Sequence, residues 1–428
     1  MSALVAVHSN RKGDVFVSEE YTAAAFDGLR AMPLEDTIPL PKGATLMALD
    51  SRRAQAFDAH GRLRTLAKER WALAALLPIG YTRTHFPAYA DDPALPDLRL
   101  FGYTGVGMLE GELRVAAMRT DDAPEWDPGA FNRPDLRARV NEALGRHPSN
   151  RVLRQLARCA REYGCYTAQN IFYGRWEGAL PVSPACNAHC VGCISLQEGD
   201  TAAPQERFRF APTADEIAEI AIAHLESPDA TMISFGQGCE GEPLLAAREV
   251  AEAIRSVRAR TERGVIHLNT NASLPAQLRR LIDAGLQSIR VSTISAIAKT
   301  YEAYYRPDNY RWVDVRRSLH LAAERSLALN INLLVLPGLT DRPEEVDAFI
   351  ALLGELPRGV VQLRNLNADP RRALATFTSA RALLGIRGAI ARYEYLAPHF
   401  TLGSFTRPAV PSPGPHDARR ELAEHATR

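Results

Sequence analysis

The sequence predicts an α/β protein: a partial (β/α)6 barrel of the TIM type with an additional N-terminal β-containing domain. From Gly178 onward, extended segments alternate with helical segments six times, which is the pattern of a parallel sheet with helical crossovers. Before that point, short extended segments are separated by turn residues, a spacing typical of antiparallel strands. Six strand–helix units make about three-quarters of a complete barrel.

The chain is predicted to have four parts. A Pro- and Asp-rich stretch at 124–134 is typical of a linker between folded regions. From Thr406 the chain is rich in Pro and charged residues, which is typical of a mobile segment. The four parts are a β-rich or α+β domain at 1–125, a linker and helical segment at 126–177, the partial barrel at 178–391, and a partly mobile C-terminal tail at 392–428.

The N-terminal part contains short extended segments and one helical pattern. Residues 105–111, which include three glycines, lie between two extended segments and predict a hairpin. Residues 68–77 have the best helical pattern of this part. Two further helices are expected in the linker segment, the second with Asn150 as its N-cap. The predicted strands are 5–7, 14–17, 44–49, 98–103 and 112–118, and the two further helices are 135–144 and 150–163.

The barrel part supplies six candidate strands, each followed by a helix. The predicted strands are 179–182, 231–235, 265–269, 288–292, 328–336 and 360–364. The predicted helices are 215–225, 246–261, 275–284, 313–325, 343–353 and 371–386. Residues at the carboxyl ends of barrel strands face the active site, so polar side chains at these ends are candidates for binding.

Composition and charge narrow the class of protein. The chain is 46% hydrophobic and 24% charged with a net charge of +1, as in an ordinary soluble globular protein. With so small a net charge, the protein has no overall electrostatic attraction to nucleic acid or to an anionic membrane. A local basic patch could still hold an RNA. No apolar run reaches the ~20 residues of a membrane span, and residues 1–15 lack the apolar core of a signal peptide. We therefore expect a cytoplasmic protein without a membrane partner.

Three of the six cysteines, Cys186, Cys190 and Cys193, fall within eight residues. Six cysteines are too sparse for a disulfide framework in a chain of this length, whereas their clustering indicates a metal site. The spacing C-x3-C-x2-C lets a compact loop place three thiolates around one face of an iron–sulfur cubane, which normally has four cysteine ligands. Three ligands leave one iron with an open coordination position. Catalytic metal sites keep such a position, whereas structural sites are closed.

Other interpretations of the cysteines remain open. The three could bind structural zinc together with His189, although zinc ligands usually come as two separated pairs. Buried thiols could also cluster by chance. Three interpretations are open for Cys239: a small buried residue, a hydrogen-atom donor, or a residue beside the cluster. No cysteine follows it, so a complete ligand set for a second cluster is not expected, and the remaining two cysteines, Cys159 and Cys165, are expected to be structural.

The cysteine motif and the strand–helix pattern around it resemble the radical S-adenosylmethionine (SAM) superfamily over residues 178–391. The resemblance implies a [4Fe-4S] cluster on the three cysteines, with the amino and carboxylate groups of SAM on the open iron. It also implies an external electron donor such as flavodoxin or ferredoxin, and cleavage of SAM to methionine and a 5′-deoxyadenosyl radical that takes hydrogen from the substrate. The family's usual aromatic residue before the last cysteine is here Gly192, so another residue must pack near the adenine.

A second motif follows the second predicted strand. Glu240, Gly241, Glu242 and Pro243 resemble the family's Gly-Gly-Glu-Pro motif, with Glu240 in place of the first glycine. In the family, the backbone and the acid of this motif meet the ammonium group of SAM, and glycine allows a close approach. By the same resemblance, residues at the ends of the third, fourth and fifth strands are expected at SAM: Asn269, Asn271, Ser292, Pro337 and Gly338.

Four residues are expected at the substrate. Arg364, Asn365 and Asn367 end the sixth strand, and Arg306 follows the fourth. Because the N-terminal domain is the natural cover of the barrel, we expect a cavity between the two domains, bordered by residues 364–367. The sequence thus predicts a radical SAM enzyme that acts on an unidentified substrate. The alternatives are modification of an RNA or protein held by the N-terminal domain, or a non-catalytic zinc or iron–sulfur binding module.

Overall fold

The computed structural model describes residues 4–197 and 202–406 of the chain. The strands of these residues form three sheets: one of eleven strands, one of two, and one of seven. Every pairing in the first two sheets is antiparallel, and every pairing in the seven-stranded sheet is parallel. The antiparallel sheets end at Arg119, and the parallel sheet begins at Arg175. The part of the predicted tail at 407–428 lies outside the described residues.

The N-terminal sheets are built from thirteen short strands. Strand β8 lies at their centre and pairs with β1, β5 and β11. The strands are β1 (Val5–Ser9), β2 (Val15–Phe26), β3 (Ala31–Pro33), β4 (Ile38–Pro39), β5 (Thr45–Arg53), β6 (Gln55–Phe57), β7 (Leu63–Thr65), β8 (Trp71–Leu76), β9 (Tyr81–Arg83), β10 (Phe86–Pro87), β11 (Thr104–Leu109), β12 (Glu112–Val115) and β13 (Ala117–Arg119).

Three helices join the N-terminal sheets to the barrel: α1 (Leu136–Arg146), α2 (Arg151–Arg161) and α3 (Tyr166–Tyr173). Helix α2 begins where the sequence predicts, because the Asn150 side chain accepts a hydrogen bond of 2.9 Å from the backbone N–H of Leu153. Helix α3 was not predicted. Its Asn170 side chain donates to the Glu177 carbonyl at 3.1 Å, which fixes the helix against the first barrel strand.

The parallel sheet runs in chain order, so each new strand joins the edge left by the strand before it. Its strands are β14 (Arg175–Leu180), β15 (Asp229–Phe235), β16 (Val265–Thr270), β17 (Ser288–Thr293), β18 (Ala328–Val335), β19 (Gly359–Asn365) and β20 (Phe400–Gly403). The helices of this part are α4 (Ala214–Leu225), α5 (Ala247–Arg260), α6 (Pro275–Ala284), α7 (Ala298–Tyr305), α8 (Trp312–Glu324), α9 (Pro343–Gly354), α10 (Pro370–Ala375) and α11 (Gly385–Leu396). The predicted fold class, an α/β partial barrel with an added β-containing part, is confirmed.

Two predictions near the end of the barrel need correction. The sheet has a seventh strand, β20, which pairs with β19 and lies in the segment predicted as tail. The single helix predicted at 371–386 is wrong, since this stretch holds α10 and only the start of α11. Asp369 accepts hydrogen bonds from the backbone N–H groups of Arg371 and Arg372, which starts α10, and the β-branched and hydroxyl residues at 376–379 do not favour its continuation.

Two N-terminal predictions are also wrong. The helix predicted at 68–77 is strand β8, whose middle residues are buried on both faces. Its alanines favour a helix in isolation, but pairing with three strands decides the outcome. The strand predicted at 98–103 is not a strand; the first strand of the hairpin is β11, and its partner is β12.

The antiparallel sheets and the barrel share one continuous hydrophobic core. Polar contacts add to the seam between them. Buried Arg83 of β9 donates from Nη2 to the Leu366 carbonyl at 2.7 Å, just beyond β19. Asn365 accepts from the Arg83 backbone N–H at 2.8 Å and donates to the Tyr81 carbonyl at 2.9 Å. The N-terminal sheet therefore covers the carboxyl end of β19. None of the helices within 4–197 and 202–406 combines the length and the apolar character that a membrane span requires.

Candidate active site

The three cysteines lie in one loop, residues 183–197, which follows the first barrel strand; we call it the cysteine loop. The loop pairs with the last residues of α7 and the chain just after it. The backbone N–H of His189 donates to the Tyr305 carbonyl at 2.9 Å, and that of Val191 donates to the Tyr304 carbonyl at 3.1 Å. An isolated bridge between Ala188 and the following chain continues the pairing. The loop is thus held by backbone bonds, which leave its thiols available.

The glycine before the last cysteine has a structural reason. A Cβ atom on Gly192 would lie 2.7 Å from the Leu366 side chain and 2.9 Å from the Tyr304 hydroxyl. Tyr304 is buried there, and its neighbour Tyr305 lines the cavity beside the cysteines. Aromatic side chains of α7 therefore occupy the space beside the loop position where the sequence lacks an aromatic residue.

The three cysteines border one open cavity of about 270 Å³ at the carboxyl ends of the barrel strands. Burial is the first cause that raises the pKa of the Cys186 and Cys190 thiols, and for Cys190 the charges of the other two cysteines raise it further. A cationic group that these three thiols share would offset that cost. Arg207 already supplies positive charge, with its Nη2 3.7 Å from the Cys193 sulfur.

The donor set fits an iron–sulfur cluster better than a single zinc ion. Within 4–197 and 202–406, no three His, Cys, Asp or Glu side chains are grouped closely enough to hold one ion. A cubane binds each cysteine on a different iron, so three cysteines that border one cavity suit it. His189, the fourth ligand of the zinc interpretation, is exposed and borders the outer side of the loop.

The second motif, residues 240–243, lies directly beside the cysteine loop. The Gly241 backbone N–H donates to the Ser183 carbonyl at 2.7 Å, and that of Glu242 to the Ala185 carbonyl at 2.8 Å. A Cβ atom on Gly241 would lie 1.9 Å from the Ala185 oxygen, so only glycine allows this contact. The two motifs are therefore joined by their backbones.

Glu240, which replaces a glycine of the family motif, has a defined structural task. Its carboxylate accepts from the backbone N–H groups of Val182 at 2.7 Å and Ser183 at 2.9 Å. It also accepts from the Gln237 N–H at 2.5 Å. Burial raises the pKa of Glu240 to about 8 despite these bonds. The side chain thus fastens the turn after β15 to the end of β14.

Glu242 is likewise buried and bonded within the protein. Its carboxylate accepts from the backbone N–H of Asn271 at 2.8 Å and of Leu244 at 3.0 Å, and from the Thr270 hydroxyl. Burial raises the pKa of Glu242 to about 7. Because Asn271 in turn donates to the Asn187 side chain at 2.9 Å, Glu242 connects the end of β16 to the cysteine loop.

Polar side chains from two further strands complete the cavity wall. Asn269 donates from its Nδ2 to the Phe235 carbonyl at 2.9 Å, and its Oδ1 accepts from the His267 Nε2 at 3.0 Å. Burial, and after it the charge of Arg290, lower the pKa of His267 to about 3, so this imidazole is neutral. The cavity is also lined by Ser292 of β17. The structure therefore brings together the cysteines, residues 240–243, Asn269, Asn271 and Ser292, as the sequence predicts.

Pro337 and Gly338 are not in the lining of this cavity. The loop that contains them packs against Gly28 of the N-terminal part, where a Cβ atom would lie 2.4 Å from the Gly338 Cα. The Gly338 N–H donates to the Asp341 carboxylate at 2.8 Å. The loop thus forms a contact between the two parts of the chain, and the SAM contact expected for Pro337 and Gly338 stays a prediction.

The four predicted substrate residues do not line the cavity either. Asn365 is committed to the seam with the N-terminal sheet, as described above. Arg306 ends α7 and borders the outer side of the cysteine loop. Arg364 and Asn367 are half-buried at the end of β19. The border expected at 364–367 therefore stays a prediction, and within it Asn365 is engaged by the N-terminal part of the chain.

Sequence reasoning missed other lining residues, notably Arg290, Asn332, Gln237 and Arg207. A signal for the first was present: Ser288, Arg290 and Ser292 alternate with buried aliphatic residues in β17. Asn330 and Asn332 alternate with aliphatic residues in the same way in β18. Period-two polarity in a parallel strand that is covered by helices indicates a polar barrel interior.

The other cysteines lie behind this site. Cys239 is buried and absent from the cavity lining. Its pKa is raised first by a hydrogen bond with the Cys159 thiol and then by burial. Cys165 lies at the start of α3 and contacts the Thr167 hydroxyl at 3.3 Å. These contacts are those of packed thiols on the far side of the 240–243 segment.

Comparison with protein-family models matches residues 180–350 to the radical SAM superfamily. Comparison with curated proteins finds none that matches. Among matching solved structures, the [FeFe]-hydrogenase maturase HydG is 14% identical with a TM-score of 0.40, over 63% of this chain and 62% of its own length. HydG from Carboxydothermus hydrogenoformans is 16% identical with a TM-score of 0.38, over 68% of this chain and 72% of its own. Methylornithine synthase PylB is 14% identical with a TM-score of 0.37, over 61% of this chain and 73% of its own.

The family match spans the cysteine loop, the 240–243 segment and the strands that line the cavity. The superfamily consists of enzymes that use a [4Fe-4S] cluster and SAM for radical chemistry, so these are the cofactors of the matched region. The chain covers 62% of the length of the first HydG structure, and the likeness to it extends to the fold alone. Residues 180–350 of this chain are a radical SAM domain.

Proposed function

We propose that the protein is an enzyme that holds a [4Fe-4S] cluster on Cys186, Cys190 and Cys193 and reductively cleaves SAM in the adjoining cavity. The observation that supports this most strongly is the shared lining, since the three cysteines and residues 240–243 border one cavity. When bound and reduced, the cluster supplies the electron that breaks a carbon–sulfur bond of SAM, which gives methionine and a radical that takes hydrogen from the substrate.

The residues around the cluster position and charge its ligands. Arg207 donates to the Ser195 hydroxyl at 3.1 Å from both Nε and Nη2, which holds its guanidinium beside Cys193. A fixed cation beside Cys193 would offset part of the negative charge that a cluster on three cysteine ligands brings. Tyr305 walls the cavity on the side of α7 and reduces its contact with water.

SAM is assigned to the wall formed by residues 240–243 and the ends of β16 and β17. Glu242 fixes the backbone of Asn271, so the amide of Asn271 and the backbone of the 240–243 segment present polar atoms at set positions. Asn269 and Ser292 extend the polar wall towards the barrel interior. The amino and carboxylate groups of SAM would fill the position that three cysteine ligands leave open on the cluster.

An external donor such as flavodoxin or ferredoxin would deliver the electron. The outer side of the cysteine loop supports an approach from solvent, because Cys190 and Cys193 also border a shallow surface cavity there. Three arginines, Arg207, Arg306 and Arg372, border the same cavity. Residues 240–243 are absent from the lining of this cavity, so a donor that docks there would not contact the SAM wall.

Anaerobic reconstitution tests the proposal. The protein should bind about four irons per chain, as a cubane requires, and should release 5′-deoxyadenosine from SAM when reduced with dithionite. Cys190→Ala should lose both the iron and the cleavage. Cys165→Ala is the matched control, since this thiol lies outside the cysteine loop, and it should keep both. Zinc bound tightly with no iron after anaerobic reconstitution would show that the proposal is wrong.

A further inference from the structure

The barrel interior beneath the SAM wall contains a guanidinium without an acidic partner. Arg290 extends from β17 and lines the cavity beside Ser292 and Asn332. Its Nη1 donates to the Gln362 side-chain oxygen at 3.0 Å and to the Thr406 hydroxyl at 2.7 Å. Both acceptors are uncharged. Across residues 4–197 and 202–406, Arg290 forms no ion pair and its other N–H groups have no hydrogen-bond acceptor.

A second guanidinium, Arg364, lies near the first. It is on the same face of β19 as Gln362, which bonds to Arg290. Burial, and after it the charge of Arg290, lower the pKa of Arg364 to about 9, so the side chain is still mainly charged at pH 7. Within the part of the chain that the structure describes, Arg364 makes no hydrogen bond or ion pair.

The acids that face these arginines are engaged elsewhere. Glu177 of β14 acts on both by its charge, but its Oε1 accepts from the Ser234 hydroxyl at 2.7 Å. Asp121 acts on Arg364 from the edge of the barrel, where its carboxylate accepts from the backbone N–H of Ser404 at 2.7 Å. Both arginines are half-buried, and a partly desolvated guanidinium whose remaining N–H groups lack acceptors is unfavourable. The interior therefore favours an occupant that brings an anionic acceptor.

We propose, on the basis of the function proposed above, that the substrate is a small carboxylic acid whose carboxylate is bound by Arg290 and Arg364. A guanidinium presents its N–H donors in a planar fork that matches the two oxygens of a carboxylate. Asn332 strengthens the assignment, since its Oδ1 is buried with no hydrogen-bond partner among the described residues and the side chain lines the same wall. It offers an acceptor for a second polar group of the substrate.

The charge balance favours a carboxylate over a phosphate. Two carboxylates already act on the guanidiniums by their charge, Glu177 on both and Asp121 on Arg364. A monoanion adds less negative charge beside these carboxylates than a phosphate dianion, which they would repel more strongly. Gln362 and Thr406 hold Arg290 on the wall of the cavity, so the bound acid would lie beneath SAM.

The test uses acetate as the minimal carboxylate probe. Carbon-13-labelled acetate is titrated into the cluster-reconstituted protein in the presence of SAM, and its NMR line broadening gives the dissociation constant. Arg290→Gln and Arg364→Gln remove one charge each, and Arg290→Lys keeps the charge without the fork. Arg279→Gln, an exposed position on α6, is the matched control. Thermal melting of every variant verifies that it is folded.

Acetate should bind the original protein and the Arg279→Gln control with equal affinity. Each of the two interior variants should weaken binding by about tenfold or more, the loss expected when a charged hydrogen-bond partner is removed, and Arg290→Lys should fall between. Acetamide, which lacks the charge, should not compete, and phosphate should compete more weakly than acetate. Acetate should also raise the melting temperature of the original protein but not that of Arg364→Gln.

Equal acetate affinity in all variants, or no acetate binding at all, would overturn the proposal. Displacement of acetate by SAM would also overturn it, because the arginines would then hold the carboxylate of SAM itself. Tighter binding of phosphate would show that the site takes a different anion. Iron content and 5′-deoxyadenosine release, measured on the same samples, report separately on the proposed function. Acetate binding without SAM cleavage would support the anion site and contradict the proposed function.

Discussion

The interiors of the two main sheets are built from opposite kinds of residue. In β17 of the barrel, the inward positions are Ser288, Arg290 and Ser292. In β8 of the N-terminal sheet, the buried run at 72–75 is three alanines and a leucine. Small apolar side chains let several strands pack closely, whereas inward polar groups are costly unless something bonds to them. The comparison assigns ligand binding to the barrel and packing to the N-terminal sheet.

A pair of glycine substitutions should show the largest difference between the two regions. A Cβ on Gly241 would lie 1.9 Å from the Ala185 oxygen, and a Cβ on Gly102 would lie 2.2 Å from the Leu76 Cα. Gly241→Ala should shift the SAM wall and reduce 5′-deoxyadenosine release by about a hundredfold, the effect of a displacement of about 1 Å at a reacting site. Gly102→Ala should instead lower the free energy of unfolding, by about 1–3 kcal/mol or more.

The control for both is Gly354→Ala, because no atom lies within 4 Å of the added Cβ at this position in α9. It should change neither quantity by a measurable amount. Cleavage assays and urea denaturation on the same three proteins make the comparison direct. If Gly241→Ala cleaved SAM at the original rate, the assignment of the 240–243 segment to SAM would fail.

Glu242→Ala should give the next largest effect. The substitution removes the acceptor for the Asn271 backbone N–H and for two further donors. We expect SAM to bind about tenfold more weakly, which corresponds to about 1.4 kcal/mol, while the iron content stays the same. Equilibrium dialysis with SAM measures the affinity. Glu345→Gln is a matched change of a buried acid that bonds to Ser295 and Thr300, away from the cavity lining, and should leave SAM affinity unaltered.

A substitution at the seam between the two regions should lower the stability of the fold. The expected effect is intermediate in size. Asn365→Leu removes the acceptor of the Arg83 N–H and the donor to the Tyr81 carbonyl. Buried groups left without partners cost about 1–3 kcal/mol each, so the melting temperature should fall. Differential scanning calorimetry measures the change. A loss of substrate turnover with an unchanged melting temperature would instead restore Asn365 to the substrate site, where the sequence alone had placed it.

The local motifs of the site could be predicted from the sequence. Each motif lies within a short stretch of sequence, since Cys186, Cys190 and Cys193 are close along the chain and residues 240–243 are consecutive. A local sequence pattern is therefore enough to identify each of them. The six predicted barrel strands were also found, because strand–helix alternation is repeated and each segment is long enough to show its period. These features depend on neighbours in sequence, and tertiary packing did not change them.

The rest of the site depends on which strands meet, and no local pattern contains that information. Asn365 was predicted at the substrate because it ends a barrel strand, but β9 of the N-terminal sheet bonds to it from 282 residues away in sequence. Gly338 was placed at SAM for the same reason, and Gly28 covers it. Arg290 was not predicted, because its hydrogen bonds to Gln362 and Thr406 come from segments far away in sequence.

The smallest predicted effect is a pH dependence that belongs to the barrel alone. Burial raises the pKa of Glu240 to about 8 and that of Glu242 to about 7, from an ordinary value of 4.5. At a pH between 4.5 and these raised values, the two carboxyl groups keep their protons in the folded chain but have lost them in the unfolded chain. Stability must therefore fall as pH rises through this range. Histidines oppose the trend only below pH 6.5, since burial lowers the pKa of His267 and His224.

Between pH 6.5 and 8 the buried glutamates dominate the pH dependence, because the histidines act only below this range. The cofactor-free protein should therefore be less stable at pH 8 than at pH 6.5. Each group that stays protonated only in the folded state contributes up to about 1.4 kcal/mol per pH unit. Glu240→Gln keeps an acceptor of similar shape but does not titrate, so urea denaturation should show a clearly smaller slope than in the original protein. Glu252→Gln, an exposed change on α5, should leave the slope unaltered. Equal slopes in all three proteins would mean that Glu240 is charged in the folded state, and that the three backbone N–H groups it binds outweigh its burial.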